Sequence, residues 1–144
     1  MNIIQNYEGE HWRQIPDYPK YFVSNMGRIY NAEKEHIVNG TYNEKGYHVV
    51  ELRNEQTPKG KHGKPARVAR LVAESFCKGY SDDIEVHHCN LCRSDDRAEN
   101  LICVTPEQHK AIHEAIDRFL NDLLETIACY KAMSNEDESE VTAA

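Results

Sequence analysis

Short runs of alternating apolar and polar residues fill the first half of the chain and predict strands. Residues 21–24 (YFVS) and 28–30 (RIY) are rich in apolar side chains and flank the turn residues Asn25, Met26 and Gly27, which is the pattern of a hairpin. Residues 46–52 (GYHVVEL) carry β-branched and aromatic side chains and predict a further strand. This half of the chain is therefore predicted to be antiparallel sheet.

Helical spacing replaces this alternation at two places. Val68, Leu71, Val72 and Phe76 recur at steps of three and four, so residues 66–79 predict a short amphipathic helix that stops near Gly79. The second helix has stronger end signals. Thr105 is the predicted N-cap, Pro106 occupies the first helical position, and Gln108 stands at the capping-box position. The fold class expected from both halves is α+β, with short antiparallel strands and hairpins leading into a long C-terminal helix.

The second helix carries an apolar stripe about five turns long. Its members are Ile112, Ile116, Phe119, Leu123, Ile127 and Tyr130. A stripe of this length is long for one small domain to cover, and two alternatives are open. The helix packs against the protein's own sheet, or it forms a homodimer. Residues 134–144 (SNEDESEVTAA) are acidic and contain no aromatic residue, so a disordered tail is expected there.

The acidic charge is concentrated at the C-terminal end. The chain has a formal net charge of −7, yet residues 107–144 alone contain nine acids against three Lys or Arg, and residues 44–70 contain seven Lys or Arg against three acids. Residues 54–65 (NEQTPKGKHGKP) form an exposed basic loop in this reading. A solvated surface loop and a phosphate-contacting loop are both open interpretations. The candidate DNA-binding residues of this region are Lys59, Lys61, Lys64, Arg67 and Arg70.

The start of the chain predicts no export and no membrane insertion. MNIIQNYEGEHW has neither a basic n-region nor a long apolar run. An odd number of cysteines, five, fits a reducing interior with thiols free or bound to metal, so a cytoplasmic location is expected.

Four of the eight histidines fall within residues 86–113. His109 and His113 are one turn apart on the second helix, close enough to meet a common ligand, although such a pair alone is weak evidence for a metal. His87 and His88 follow a strand-like segment and should point to opposite sides of it, so that one can bind a metal while the other faces a different part of the site. This division suits phosphodiester hydrolysis, which needs a base for water and a cation for the phosphate.

Two further residue types lie between these histidines. Asn100 can bridge two backbone segments through its amide donor and acceptor and so fix the loop that follows the doublet. Cys89 and Cys92 have zinc-knuckle spacing and Cys103 could be a third ligand, but a second CxxC is missing. Buried or free thiols are therefore the favoured interpretation over a structural zinc.

Residues 86–113 resemble the HNH endonuclease family, whose ββα-metal core places a His doublet on a strand, an Asn-Leu before the next strand, and a His or Asn on the following helix. The resemblance implies that His87 and His109 are metal ligands, that His88 is the general base and that Asn100 orients the loop. His113 matches an additional helix histidine that colicin-type members use. The implied activity is a metal-dependent DNA endonuclease, in which His88 activates water and the metal stabilises the transition state and the leaving 3′-oxygen.

Residues 10–31 (EHWRQIPDYPKYFVSNMGRIYN) resemble the NUMOD-type motif that precedes HNH domains in phage and homing endonucleases. The expected organisation is a DNA-contacting region over residues 1–80, a nuclease core over residues 81–133 and the tail. The expected cofactor is one Mg²⁺ or Mn²⁺; because histidines stand where many relatives have Asp and Asn, Zn²⁺ and Ni²⁺ are alternatives. The alternative functions are a catalytically inactive DNA-binding module and a zinc-stabilised interaction protein.

Overall fold

Short strands alternate with tight turns through most of residues 4–142, the part of the chain that this computed structural model describes, with side chains described over residues 4–134. The first sheet is an antiparallel meander of β1 (Trp12–Ile15), β2 (Tyr18–Ser24), β3 (Ile29–Asn31) and β4 (His36–Ile37). The predicted hairpin is its centre, since Val23 pairs with Ile29 across the turn. Gly27 sits in that turn with φ +78, a conformation that glycine adopts without strain.

The second sheet is also an antiparallel meander. It contains β5 (Thr41–Tyr42), β6 (His48–Leu52) and β7 (Lys64–Arg67), in that order. Residues 64–67 extend the basic loop into a strand, whereas the sequence predicted that the loop ran to Pro65 and a helix began at Ala66. Pro65 cannot donate a backbone hydrogen bond, and its position on the edge strand of the sheet is consistent with that.

Helix α1 (Val68–Phe76) begins directly after β7 and is the centre of the core. Val68, Leu71 and Val72 are buried at helical spacing, as predicted, and the helix contacts strands of both sheets and of the hairpin described below. The helix ends at Phe76, with an extended Cys77, three residues before the predicted stop at Gly79. Around it pack fully buried side chains from the two sheets, namely Val23, Ile29, Val50 and Leu52.

A two-stranded antiparallel hairpin follows α1. Its strands are β8 (Glu85–His88) and β9 (Leu101–Val104), and a 3-10 turn over Ala98–Asn100 leads into β9. Leu101 joins the same core as α1. The described residues up to Thr105 form one compact unit and those from Pro106 form a second, so the boundary expected near residue 80 lies inside the first unit.

Helix α2 runs from Pro106 to Thr142 and forms the second unit. Pro106 is its first residue, as the end signals predicted. The disordered tail expected from Ser134 is not observed over residues 134–142, where the backbone is helical; residues 143 and 144 lie outside the described part. No Gly or Pro follows Pro106 in the sequence, so nothing in the backbone chemistry stops the helix earlier. Several large apolar side chains of the helix are exposed, including Phe119, Leu123, Ile127 and Tyr130. The α+β class predicted from the sequence is confirmed.

Candidate functional site

The β8–β9 hairpin positions the histidine doublet. His87 is paired with Ile102 and His88 with Leu101, and both histidines are buried, with 6% and 5% of their surface exposed. Successive side chains of a strand point to opposite faces, so the imidazoles of His87 and His88 face different surroundings although the two residues are adjacent in sequence. After His88 the chain turns sharply: Leu91 has φ +64 and its N–H donates to the carbonyl oxygen of His88 (3.0 Å).

Asn100 closes the loop between the two strands. Its Oδ1 accepts from the backbone N–H of Asn90 (3.0 Å), and its Nδ2 donates to Asn90 Oδ1 (2.9 Å) and to the carbonyl oxygen of Asp95 (2.8 Å). Its own carbonyl accepts from the N–H of Cys89 (2.8 Å). Asn100 is buried, so these hydrogen bonds are shielded from water. The Asn100 side chain therefore holds the loop of residues 89–99 at its start, Asn90, and near its middle, Asp95.

His88 is oriented by Asp96, a residue that the sequence interpretation did not single out. His88 Nε2 lies 2.8 Å from Asp96 Oδ1, and both side chains are buried. A carboxylate oxygen only accepts, so the proton of the neutral imidazole sits on Nε2 and the lone pair sits on Nδ1. Asp96 lies in a polar stretch, RSDDRAEN, in which nothing distinguishes it from a solvated loop carboxylate until the fold brings it to the doublet.

Helix α2 carries the other two histidines. His109 and His113 are one turn apart, with their Nε2 atoms 3.2 Å from each other and their rings edge to face at 4.7 Å between centroids. Two ring nitrogens at this separation match two ligands of one first-row metal ion, since a metal–nitrogen distance of about 2.1 Å places adjacent ligands about 3 Å apart.

His87, His109 and His113 form a group in which the ligand nitrogens all lie within 4.8 Å of one another. Neutral imidazole is a good ligand for Mn²⁺, Zn²⁺, Ni²⁺ and related ions, while Mg²⁺ prefers oxygen. The donor set fits a divalent transition metal.

An aromatic ring flanked by two arginines lies next to His88. The ring centroid of Tyr47 is 6.0 Å from that of His88, and the guanidinium carbons of Arg67 and Arg93 are 4.3 Å and 5.2 Å from the Tyr47 centroid. Arg93 also donates to the carbonyl oxygen of Lys45 (3.0 Å). Two positive charges are thereby held at the aromatic ring that lies beside His88. Tyr47 and Arg93 were not among the sequence candidates, since neither belongs to a motif.

The basic candidates divide into two groups. Lys59 and Lys61 are exposed in the loop before β7, and Lys64 and Arg67 are exposed on β7 itself. Arg70 differs, because its guanidinium donates to the carbonyl oxygens of Ile84 (3.1 Å) and Asp82 (3.4 Å) and lies over the ring of Tyr80. Arg70 thus ties helix α1 to the segment that enters β8.

The cysteine candidates are free thiols. Cys89 and Cys92 are exposed and Cys103 is half-buried on β9. Burial raises the pKa of the Cys103 thiol, while a hydrogen bond with Ser94 lowers the pKa of Cys92. Among the described residues, the three cysteines do not make up a group of ligand atoms close enough for one metal.

The N-terminal motif builds a buried ion pair. Arg28 donates from Nε to Glu10 Oε1 (2.8 Å) and from Nη2 to Glu10 Oε2, and its guanidinium lies between the rings of Tyr7 and Trp12. The Glu10 side chain is fully buried. Burial works to raise the pKa of Glu10, but the hydrogen bonds from Arg28 and from the backbone of Tyr7 outweigh it, and the net pKa is lowered. The spaced Glu, Trp and Arg of the motif therefore have a structural role.

None of the described helices has an apolar stretch long enough to cross a bilayer.

Comparison with known proteins confirms the predicted resemblance. Residues 10–53 match the NUMOD4 motif. The chain is 33% identical over 117 residues to an uncharacterized HNH endonuclease, L247, of Acanthamoeba polyphaga mimivirus, which covers 78% of this chain and 28% of that protein. It is 33% identical over 95 residues to the DNA endonuclease I-HmuI of Bacillus phage SP01, covering 65% of this chain and 52% of that protein. The chain thus spans about a quarter of the first relative and about half of the second.

A solved structure shows the same similarity in three dimensions. The structure described as DNA binding and cleavage by the HNH homing endonuclease I-HmuI superposes with a TM-score of 0.63 at 30% sequence identity, covering 75% of this chain and 59% of that one.

Proposed function

We propose that this protein, which resembles HNH homing endonucleases in sequence and fold, is a metal-dependent DNA endonuclease. The observation that carries the proposal is the pairing of two chemically different histidine sites. His88 is buried with its Nε2 engaged by a carboxylate, while His87 belongs to a group of three imidazoles suited to a metal. A hydrolase acting on phosphodiesters needs these two components, a base and a cation.

His87, His109 and His113 would hold the divalent ion. When bound, the metal supplies positive charge to the phosphate and to the leaving 3′-oxygen. The all-nitrogen donor set favours Mn²⁺ or another transition metal over Mg²⁺. These are the three residues that the sequence offered as metal ligands, with His113 as the additional helix histidine, and their grouping supports that assignment.

His88 would act as the general base at Nδ1. Because Asp96 keeps the proton of the neutral ring on Nε2, the Nδ1 lone pair is available to take a proton from water. The resulting hydroxide would form a bond to phosphorus as the bond to the 3′-oxygen breaks. The 3′-oxygen would take a proton from solvent water, and the products would be a 5′-phosphate and a 3′-hydroxyl. Asn100 would contribute by keeping the loop of residues 89–99 in place.

The arginines beside His88 would attract the phosphate backbone. Arg67 and Arg93 both contact the ring of Tyr47, which lies beside His88. Further positive charge lies on the loop and strand that lead to Arg67, at Lys59, Lys61 and Lys64. Contacts of this kind bind DNA without reading its sequence. Arg70 is withdrawn from the proposed DNA surface, because its donors are used within the protein.

The number of strands cut depends on the number of sites. One site cuts one strand, so a double-strand break requires two copies or two successive nicks. The exposed apolar side chains of α2 are compatible with the predicted homodimer. Sedimentation velocity of the purified protein, with and without a DNA duplex, measures whether it is a monomer or a dimer.

A plasmid assay tests the proposed activity. Supercoiled plasmid incubated with the protein should convert to nicked circles with Mn²⁺, Mg²⁺, Zn²⁺ or Ni²⁺ at differing rates and stay intact in chelator. His88→Ala should abolish nicking while Mn²⁺ binding by titration calorimetry is unchanged. His87→Ala, His109→Ala and His113→Ala should each weaken Mn²⁺ binding. His36→Ala, an exposed histidine on β4, is the matched control and should behave as wild type.

Two outcomes would contradict the proposal. Nicking that persists in chelator, or full activity of His88→Ala, would remove the metal or the base from the mechanism. Binding of duplex DNA in a mobility-shift assay without nicking under any metal would instead support the alternative of a catalytically inactive DNA-binding module.

A further inference from the structure

A buried carboxylate lies between two histidines in the first compact unit. Asp96 is 5% exposed, and its Oδ1 lies 2.8 Å from His88 Nε2. Its Oδ2 is 3.9 Å from Nδ1 of His48 and has no hydrogen-bond partner among the residues that the structure describes. A buried carboxylate oxygen left without a hydrogen bond is costly, so its retention calls for a function.

Both imidazoles are oriented by groups that can only accept. His48 Nε2 lies 2.6 Å from the carbonyl oxygen of Asn39, so that nitrogen carries a proton and Nδ1 is the atom that faces Asp96. The ring of His48 also stacks on Tyr42, with 5.1 Å between centroids. Asp96 therefore accepts a hydrogen bond from His88 at 2.8 Å. The ring of His48, at 3.9 Å, is too far away to form one.

Asp96 and its loop pack against residues of the N-terminal motif, and the contact at Gly27 is called the seat of Asp96 below. A Cβ at Gly27 would stand 3.2 Å from the backbone carbonyl and the Cβ of Asp96, which is closer than side chains usually pack, so a larger residue there must push Asp96 back by a few tenths of an ångström. Beside it, the N–H of Ala98 donates to the carbonyl oxygen of Asn25 (2.8 Å). Asn25, Gly27 and His48 all fall within residues 10–53, the NUMOD4 match. The loop that carries Asp96 is thus docked on that motif.

We propose that Asp96 is a positioning residue for His88, and that the turn at Gly27 holds Asp96 in place. In this arrangement the N-terminal motif contributes to catalysis by fixing the orientation and the tautomer of the base, in addition to any contact with DNA. The proposal rests on the proposed endonuclease function in one respect only, which is the role of His88 as the base.

Substitution of Asp96 should reduce kcat and leave substrate binding unchanged. We expect Asp96→Ala to lower kcat in the nicking assay by roughly 10- to 100-fold, a part of the 10²- to 10⁴-fold that a general base typically contributes, with KM for DNA and the Kd for Mn²⁺ within about twofold of wild type. Asp96→Asn should retain intermediate activity, because its amide oxygen can still accept from His88 Nε2. Asp83→Asn, an exposed carboxylate shortly before β8, is the control for the change of charge and should match wild type.

The seat is tested by a glycine pair. Gly27→Ala should lower kcat in the same way as Asp96→Ala, because its methyl group displaces Asp96. Gly79→Ala introduces nearly the same backbone strain, at φ +77 instead of +78, but nothing lies within 4 Å of its Cβ position. It should therefore lose stability and not kcat. Equal effects of the two alanines on kcat would overturn the proposed seat.

Nitrogen-15 NMR of the imidazoles separates this proposal from the proposed function. The wild-type protein should show His88 in the tautomer protonated at Nε2, and Asp96→Ala should show a mixture of tautomers. This result is expected even if the protein cleaves no DNA. Unchanged His88 resonances in Asp96→Ala, or an Asp96→Ala enzyme with wild-type kcat, would overturn the positioning role.

Discussion

Replacement of Asn100 by alanine is the sharpest test of how the loop of residues 89–99 is held. The side chain makes three hydrogen bonds that alanine cannot make, two with Asn90 and one with the carbonyl oxygen of Asp95. Their lengths lie between 2.8 and 3.0 Å, and Asn100 is buried. The substitution therefore removes a complete set of contacts without removing charge or much apolar surface.

The expected loss can be worked out from these contacts. A hydrogen bond contributes about 1 kcal/mol net, so three of them correspond to about 3 kcal/mol of unfolding free energy. For a chain of this size, 1 kcal/mol shifts Tm by roughly 2–4 °C, which predicts a decrease of about 6–12 °C. The folded state should survive this change at 25 °C, since domains have about 5–15 kcal/mol of stability. Nicking at 25 °C should nevertheless fall at least about tenfold, because the loop between His88 and Asn100 loses the hydrogen bonds that hold Asn90 and Asp95.

Thermal unfolding followed by circular dichroism measures the first quantity, and plasmid nicking at 25 °C measures the second. Asn121→Ala, an exposed asparagine on α2, is the matched control and should shift Tm by no more than about 2 °C. A decrease in Tm below about 2 °C for Asn100→Ala would show that the hydrogen bonds do not stabilise the fold. A large decrease in Tm with wild-type nicking would show that the loop order is irrelevant to catalysis.

Three further predictions concern other parts of the molecule. Arg28→Met leaves the buried Glu10 carboxylate unpaired and should lower the free energy of urea unfolding by about 3–5 kcal/mol. Lys20→Met, in the exposed pair with Glu33, should leave it nearly unchanged. Equal losses in the two variants would refute the structural role of the motif. The Arg97 guanidinium lowers the pKa of Asp95 to about 2 from an ordinary value near 3.8. The stability that this pair contributes is therefore present above about pH 4 and is lost as the pH falls toward 2. The Tm difference between wild type and Asp95→Asn should shrink over that range of pH. Replacing Lys59, Lys61 and Lys64 by Gln should reduce the slope of log Kd for DNA against log salt by up to about 2.7, with exposed Lys78→Gln as the control, and an unchanged slope would place the loop away from phosphate.

The fold was predictable where the local signals were strong. The turn at Asn25–Gly27, the strand at residues 48–52 and the start of α2 at Pro106 each depend on nearby residues, and the structure places them as expected. The disordered tail was predicted from Ser134, whereas α2 continues to Thr142. Acidic composition is a weak indicator, because Glu-rich residues without Gly or Pro are compatible with both a solvated helix and a disordered tail. The start of α1 was displaced because Ala66 and Arg67 pair with Val50 and Val49 in the sheet, and that pairing is invisible in the helical periodicity.

The site was predictable to the extent that its chemistry is carried by motif residues. The histidines and Asn100 have a spacing that can be recognised in sequence, and the structure gathers His87, His109 and His113. Asp96 and Tyr47 contact His88, and Arg93 contacts Tyr47. These contacts join residues that are distant in sequence, so they arise only when the chain folds. Arg70 shows the converse, since a basic residue next to a basic loop is used to hold the chain itself.

The two periodicities of the backbone explain how four histidines in one stretch of sequence can take different roles. A strand has a period of two residues, so the adjacent His87 and His88 are separated, one toward the imidazole cluster and the other toward Asp96. A helix has a period of 3.6, so His109 and His113 are brought together on one face. If this geometry sets their roles, the neighbouring histidine cannot replace the base: a substitution of His88 leaves the ring of His87 on the other side of the strand. A general base and a metal ligand can therefore stand side by side in sequence without competing for the same partner.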